Sequence, residues 1–157
     1  DLFVNRPFLI RDVSNYNNIG IGNPNYQSCA NCHNRQRVGN DNAPGYIDIG
    51  TVNHPAADRQ SYLPLFKVVC SEKSQPHPYL GRVIFTHDPG RALVSGRCLD
   101  VGSITMQSLR ALDSRAPYFS SGFATDLQGV VDWYDRRFNI GLSAQDKIDM
   151  VNFLRAL

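Results

Sequence analysis

The sequence predicts a mainly α-helical chain with long irregular loops and one small β-hairpin. Three observations lead there. Two amphipathic segments of helical period fill the last third, and two short β-branched runs flank a proline- and glycine-marked turn near the middle. Eleven of the thirteen asparagines fall in the first 53 residues, interspersed with Gly20, Gly22, Gly39, Gly45 and Gly50. Asn and Gly tolerate left-handed and turn conformations, so the first third reads as turns and not as regular elements.

Taken in order, residues 34 to 65 show no sustained helical or alternating period and predict a long loop, of the kind that function or cross-links tie down. Leu65–Val69 and Arg82–Phe85 predict two strands, with Ser71–Gly81, carrying Pro76, Pro78 and Gly81, as their connection. Thr125-Asp126-Leu127-Gln128 has capping-box form. Leu127, Val130, Val131, Tyr134 and Phe138 follow at i, i+3, i+4, i+7 and i+11, which predicts a helix from about 125 to 137. Gly141 ends that pattern. Ser143, with Asp146 at the third helical position, predicts the N-cap of a final helix. Its stripe is Ile148, Val151, Leu154 and Leu157, widened by Met150 and Phe153.

Hydrophobic residues at 42% and charged residues at 19% describe globular composition, and 157 residues suit one domain spanning 1–157. Sixteen Lys+Arg against fourteen Asp+Glu leave +2. That is too balanced to draw nucleic acid or a membrane surface by bulk electrostatics. No apolar run approaches the roughly 18 residues a membrane span needs. The expected partners therefore exclude nucleic acid, and the chain is expected not to span a membrane.

The four cysteines carry the chemistry. Cys29-Ala30-Asn31-Cys32-His33 is a C-x-x-C-H string. Two thiols three positions apart add to the two vinyl groups of a haem, and the following imidazole is then placed to ligate the iron. A zinc site would want a second Cys/His pair at close spacing, and a thioredoxin-like dithiol a β-α-β context; the sequence offers neither. The expected cofactor is one haem c, covalent through Cys29 and Cys32, with His33 as axial ligand. Such attachment occurs outside the cytoplasm, so the expected location is periplasmic or otherwise extracytoplasmic. Spare thiols oxidise there, which makes Cys70 and Cys98 an expected disulfide.

Asp88-Pro89-Gly90-Arg91-Ala92-Leu93, Ser108-Leu109-Arg110, Arg115-Ala116-Pro117-Tyr118-Phe119, Arg137-Phe138-Asn139-Ile140-Gly141-Leu142 and Val151-Asn152-Phe153-Leu154-Arg155-Ala156-Leu157 occur in this order. Upstream, Cys32-His33-Asn34, Val38-Gly39-Asn40 and Asp48-Ile49-Gly50 add looser matches. This string resembles the C-terminal haem domain of bacterial di-haem cytochrome c peroxidases and their relatives, including the methylamine-utilisation di-haem enzyme. The resemblance implies a class I-like cytochrome c fold with long inserted loops. It also implies that the chain is either a stand-alone cytochrome or one domain of a longer di-haem protein. Two departures stand out. Ser120 occupies the position where family members commonly carry His, and the chain has one C-x-x-C-H where the family's enzymes use two haems.

Two residues compete to oppose His33 on the iron, with an open or otherwise-ligated iron as the remaining alternative. Met106 is the choice by frequency, because a thioether opposite His is a common cytochrome c arrangement. Tyr134 is the choice by position, because it matches the family's axial site between the penultimate and last helices. His54, His77 and His87 are expected to be surface residues and not ligands, the first two placed in loops by the flanking Pro55, Pro76 and Pro78. For the propionates, Arg91 and Arg110 lie in the family motifs and Arg37 follows the attachment string closely; guanidinium forks suit carboxylates. Tyr118 and Trp133 are candidates to pack at the haem edge. The expected function is a periplasmic electron-transfer cytochrome c whose partner is another redox protein or haem domain. The alternative is the electron-input domain of a di-haem cytochrome c peroxidase-like enzyme.

Overall fold

The structure, a computed structural model, describes residues 2–15, 23–34, 40–41, 45–57 and 59–157. In chain order its elements are α1 (Leu2–Asn5), β1 (Phe8–Ile10), β2 (Asn25–Gln27), α2 (Cys29–Cys32), β3 (His33–Asn34), β4 (Asn40–Asp41), β5 (Tyr46–Ile47), β6 (Phe66–Val69), β7 (Val83–Thr86), α3 (Ala92–Ser95), β8 (Ile104–Thr105), α4 (Leu127–Phe138) and α5 (Ala144–Arg155). Short 3-10 turns cover Cys98–Asp100 and Leu112–Ser114. The strands pair as four antiparallel two-stranded ladders, β1–β2, β3–β4, β5–β8 and β6–β7.

This overturns the mainly α expectation and the class I-like cytochrome c fold drawn from the resemblance. Helix accounts for 31% and strand for 19%, and among the described helices α1, α2 and α3 have four residues each. The reason lies in composition. A helix nucleus is costly, and a segment rich in Asn, Gly and Pro cannot propagate one. Its backbone groups are satisfied instead by short ladders and turns.

The chain divides into two compact units. The first comprises Asp1–Arg11, Pro24–Pro44 and Met106–Leu157. Its long helices follow the sequence signals closely. Asp126, not Thr125, caps α4, its Oδ1 accepting from Gly129 N–H at 2.8 Å. Asn139 ends α4 in the left-handed conformation at φ 50°, two residues before the Gly141 expected to do so. On α5 the reciprocal cap is present: Ser143 Oγ accepts from Asp146 N–H at 3.1 Å, and Asp146 Oδ2 from Ser143 N–H at 3.0 Å. Met150, Val151 and Leu154 are buried, but Ile148 is 50% exposed. At 3.6 residues per turn Ile148 lies about 110° from the centre of those three, off the stripe assigned to it. The core gathers Phe3, Tyr118, Ala124, Leu127, Val131, Met150, Val151 and Leu154, and the α2 residues Cys29 and Ala30 lean on it.

Across α4 and α5, Lys147 Nζ lies 2.9 Å from both Asp132 Oδ1 and Asp135 Oδ2. The hydrogen bond from Lys147 holds the Asp132 carboxyl below its usual range. Desolvation pushes Asp135 up, but Lys147 together with the Leu142 and Gly141 amides brings it down on balance. A depressed folded-state carboxylate stabilises above its unfolded pKa, and that contribution is lost as pH falls through the folded value. Thermal unfolding followed against pH is expected to show a midpoint that drops below about pH 4. Lys147→Met should flatten that drop.

The second unit comprises Asp12–Asn23 and Gly45–Thr105. The hairpin appears where expected, with Phe66 opposite Thr86 and Val69 opposite Val83. Cys70 and Cys98 form the expected disulfide, packed with Ile84 and Val101. It closes a 28-residue separation, worth about 3–4 kcal/mol on the chain-entropy account. The double Cys70→Ala, Cys98→Ala chain is expected to lose that much stability in a denaturant titration, and added reductant should then have no further effect on it. Asp48 and Asn53, both buried, anchor the long loop: Asn53 Nδ2 donates to Asp48 Oδ2 at 2.7 Å and to the Val101 carbonyl at 2.9 Å. Gly102, at φ 78°, stands where a Cβ would collide with the Asn53 amide.

The expectation of surface histidines fails for two of the three. His77 is 2% exposed and His87 6%. His77 Nδ1 accepts from the Tyr79 and Leu80 amides, and burial lowers its pKa to about 4. His87 Nδ1 meets the Pro64 carbonyl at 2.7 Å, while its Nε2 accepts from the Gln60 amide. Each ring is buried because it satisfies loop backbone that no ladder reaches.

Candidate haem-attachment site

The site is built in the first unit on the single turn α2. One turn of helix places Cys29 and Cys32 on neighbouring positions of one face. Cys32 is buried, 8% exposed, and Cys29 is half-buried against the core of α4 and α5. His33 caps the turn: its N–H donates to the Cys29 carbonyl, and its backbone leaves in an extended conformation at φ −101° and ψ 93° to pair opposite Asp41 in β3–β4. Among the described residues, the disulfide joins Cys70 and Cys98, while Cys29 and Cys32 are thiols. Burial, with a smaller contribution from Cys32, pushes the Cys29 thiol up to about 11. A redox dithiol needs the opposite, a nucleophile with a depressed pKa, so the environment argues against that chemistry.

Helix α4 supplies the facing wall. Tyr134 is half-buried, and its pKa is raised first by desolvation and then by the charges of Cys29 and Cys32. That electrostatic coupling puts the phenol and both thiols in one neighbourhood. Around Tyr134 stand Trp133 at 5.0 Å between ring centroids, Phe138 at 6.1 Å and Phe119 at 6.2 Å. Phe119 stacks on Phe123 at 4.7 Å, nearly parallel. Tyr118, 8% exposed, donates its hydroxyl to the Leu112 carbonyl at 3.0 Å and belongs to the core that Cys29 touches.

Trp133 tests whether a haem fits these residues. It is 2% exposed, and its Nε1–H has no hydrogen-bond acceptor among the described residues. Burying a donor without a partner costs about 1–3 kcal/mol, so the position calls for an acceptor that the protein does not supply. A haem offers propionate oxygens for that donor, vinyl carbons for the two thiols, a metal for the imidazole, and a flat apolar face for Phe119 and Phe123. The donor set fits the group.

The remaining expected residues are dispersed. Met106 is half-buried in the irregular chain after β8, and Arg110 is exposed in the first unit. Arg91 belongs to the second unit, where Asp100 lies 3.5 Å away and its guanidinium rests 4.2 Å from the Tyr46 ring centroid. Arg37 lies outside the described residues. Among the described residues, no three His, Cys, Asp or Glu side chains gather into a metal-binding group, and no helix is long and apolar enough to cross a membrane. Two contributors escaped the sequence reading. The Phe119–Phe123 stack carries no periodic signal, because its two members lie on the loop before α4. The Ser28–Asn31 pair that closes α2 does carry one, the spacing of a capping box with Asn at the third position.

Two thiols on one turn, with a phenol electrostatically coupled to them, are groups that a covalent haem would use. Comparison with known proteins agrees in part. The chain is similar to Cytochrome-c peroxidase IdrP1 of Pseudomonas sp. (strain SCT), 38% identical over 81 residues, covering 45% of this chain and 21% of that protein. The chain thus spans about a fifth of the length of the curated relative it matches. No family model matches it, and no solved structure does. Over that part, the chain has a cytochrome c peroxidase-like relationship.

Proposed function

We propose that residues 1–157 carry one haem c, linked through Cys29 and Cys32 with His33 and Tyr134 as the axial pair, and act as an electron-transfer domain. The observation that supports this is the pair of thiols on the single turn α2, electrostatically coupled to Tyr134, whose ring lies 5.0 Å from the unpartnered indole of Trp133. Bound there, haem supplies a one-electron iron couple tuned by its axial ligands and its exposure to water. The chain's own part is to bind and screen. Cys29 and Cys32 fix the ring, Phe119, Phe123 and Phe138 keep water from its faces, and Trp133 donates to a propionate. Haem attachment and the Cys70–Cys98 disulfide both favour a periplasmic or otherwise extracytoplasmic location. The partner is another redox protein or haem domain.

A second reading has its own support. The matched relative is a peroxidase about five times longer than the region shared with this chain, which fits the electron-input domain of a longer di-haem enzyme. One experiment separates the two. Chain expressed with cytochrome c maturation machinery is assayed for covalent haem, ferric spin state and peroxide turnover. One haem per chain, low-spin iron and no turnover are expected. A five-coordinate, peroxide-reactive iron would overturn the carrier reading, and a colourless product would overturn both.

A further inference from the structure

The turn that holds the thiols is locked by a residue between them. A four-residue helix is not stable alone, because nucleation fixes several dihedrals for one hydrogen bond. Here Asn31 Oδ1 accepts from Ser28 N–H at 2.8 Å and from Ser28 Oγ–H at 2.7 Å, and Asn31 N–H donates to the Ser28 carbonyl at 3.1 Å. At the other end the His33 N–H closes onto Cys29. Asn31 is exposed, so burial does not account for its place. Its hydrogen bonds begin one residue before Cys29 and end two residues before His33. They therefore set the backbone from which both sulfurs and the imidazole project.

Resting on the haem reading above, we propose that Ser28 and Asn31 are positioning residues, whose lock holds Cys29 and Cys32 one turn apart and keeps His33 directed at the iron. Freed from it, the turn frays and the imidazole loses its fixed aim, while both thioethers remain.

The haem-loaded protein tests this through two readouts, amide hydrogen exchange at His33 and the midpoint potential. In Asn31→Ala the His33 amide is expected to exchange about fivefold faster, the equilibrium effect of losing one helix cap, and the potential should shift. Asn31→Asp keeps the acceptor oxygen and should restore both values. A residue that only added stability would lower the thermal midpoint of Asn31→Ala and leave the potential where it was; that outcome overturns the proposal. Ser28→Ala removes one of the two donors and should give a smaller shift of the same sign, which decides the matter if Asn31→Ala does not accumulate. Covalent haem is measured in the same samples. Its absence from the unaltered chain refutes the haem reading. Full haem with wild-type exchange and potential in Asn31→Ala refutes the lock alone.

Discussion

Replacing Cys29 and Cys32 together with Ala is expected to take covalent haem from one per chain to none. The measurement is haem remaining with the polypeptide after acidified-solvent extraction, and the expected effect is complete because no other pair of thiols is placed for the task. Cys70 and Cys98 are already consumed by their disulfide, and they serve as the control: their double Ala variant should keep its haem. Each single variant, Cys29→Ala or Cys32→Ala, should retain one thioether, and its reduced haemochrome band should move toward that of a ring with one free vinyl. Stability should fall as well. The Phe119–Phe123 stack packs against the same core as Cys29 and Ala30, and both rings are only half-buried by protein. Each aromatic side chain left facing water forfeits roughly 1.5–3 kcal/mol. Denaturant unfolding of the double variant should therefore begin at lower concentration than that of the loaded protein. Haem that survives extraction from the double variant would remove the basis of the functional reading.

Where local structure depends on neighbouring residues, the sequence was informative. The hairpin around Ser71–Gly81, the Ser143–Asp146 cap of α5 and the Cys70–Cys98 pairing each depend on short-range spacing or on compartment, and each is visible without coordinates. Fold class was not. The described strands β1 to β5 are two or three residues long, too short to leave a period, and the family likeness supplied a helical expectation that Asn- and Gly-rich backbone could not meet. Tertiary partners were equally hidden. Arg91 reads as a propionate ligand from its motif, yet Asp100 and Tyr46 engage it through the packing of the second unit. His77 and His87 read as loop surface, yet both rings satisfy buried backbone. The same limit hid the value of Trp133. The sequence marked it as a candidate for the haem edge, but the missing acceptor at Nε1 is a property of everything around it.

Tyr134→Phe is the second decisive substitution, because it removes one oxygen and leaves the aromatic wall standing. The ring contacts of Tyr134 with Trp133, Phe119 and Phe138 do not involve its hydroxyl, so folding should change by no more than about 1 kcal/mol. The visible spectrum should change far more. If the phenol oxygen is the ligand opposite His33, its loss leaves the iron with a weaker field and a new ferric spin state. The midpoint potential should also rise, since an anionic oxygen donor favours the ferric form. Redox titration and the ferric absorption spectrum read these two effects independently. An unaltered spectrum with unaltered potential would transfer the assignment to Met106. Met106→Ala should then reproduce the spectral change, with the potential moving down instead of up, because a thioether ligand raises it. The direction of the potential shift therefore distinguishes the two ligands even if both substitutions perturb the spectrum.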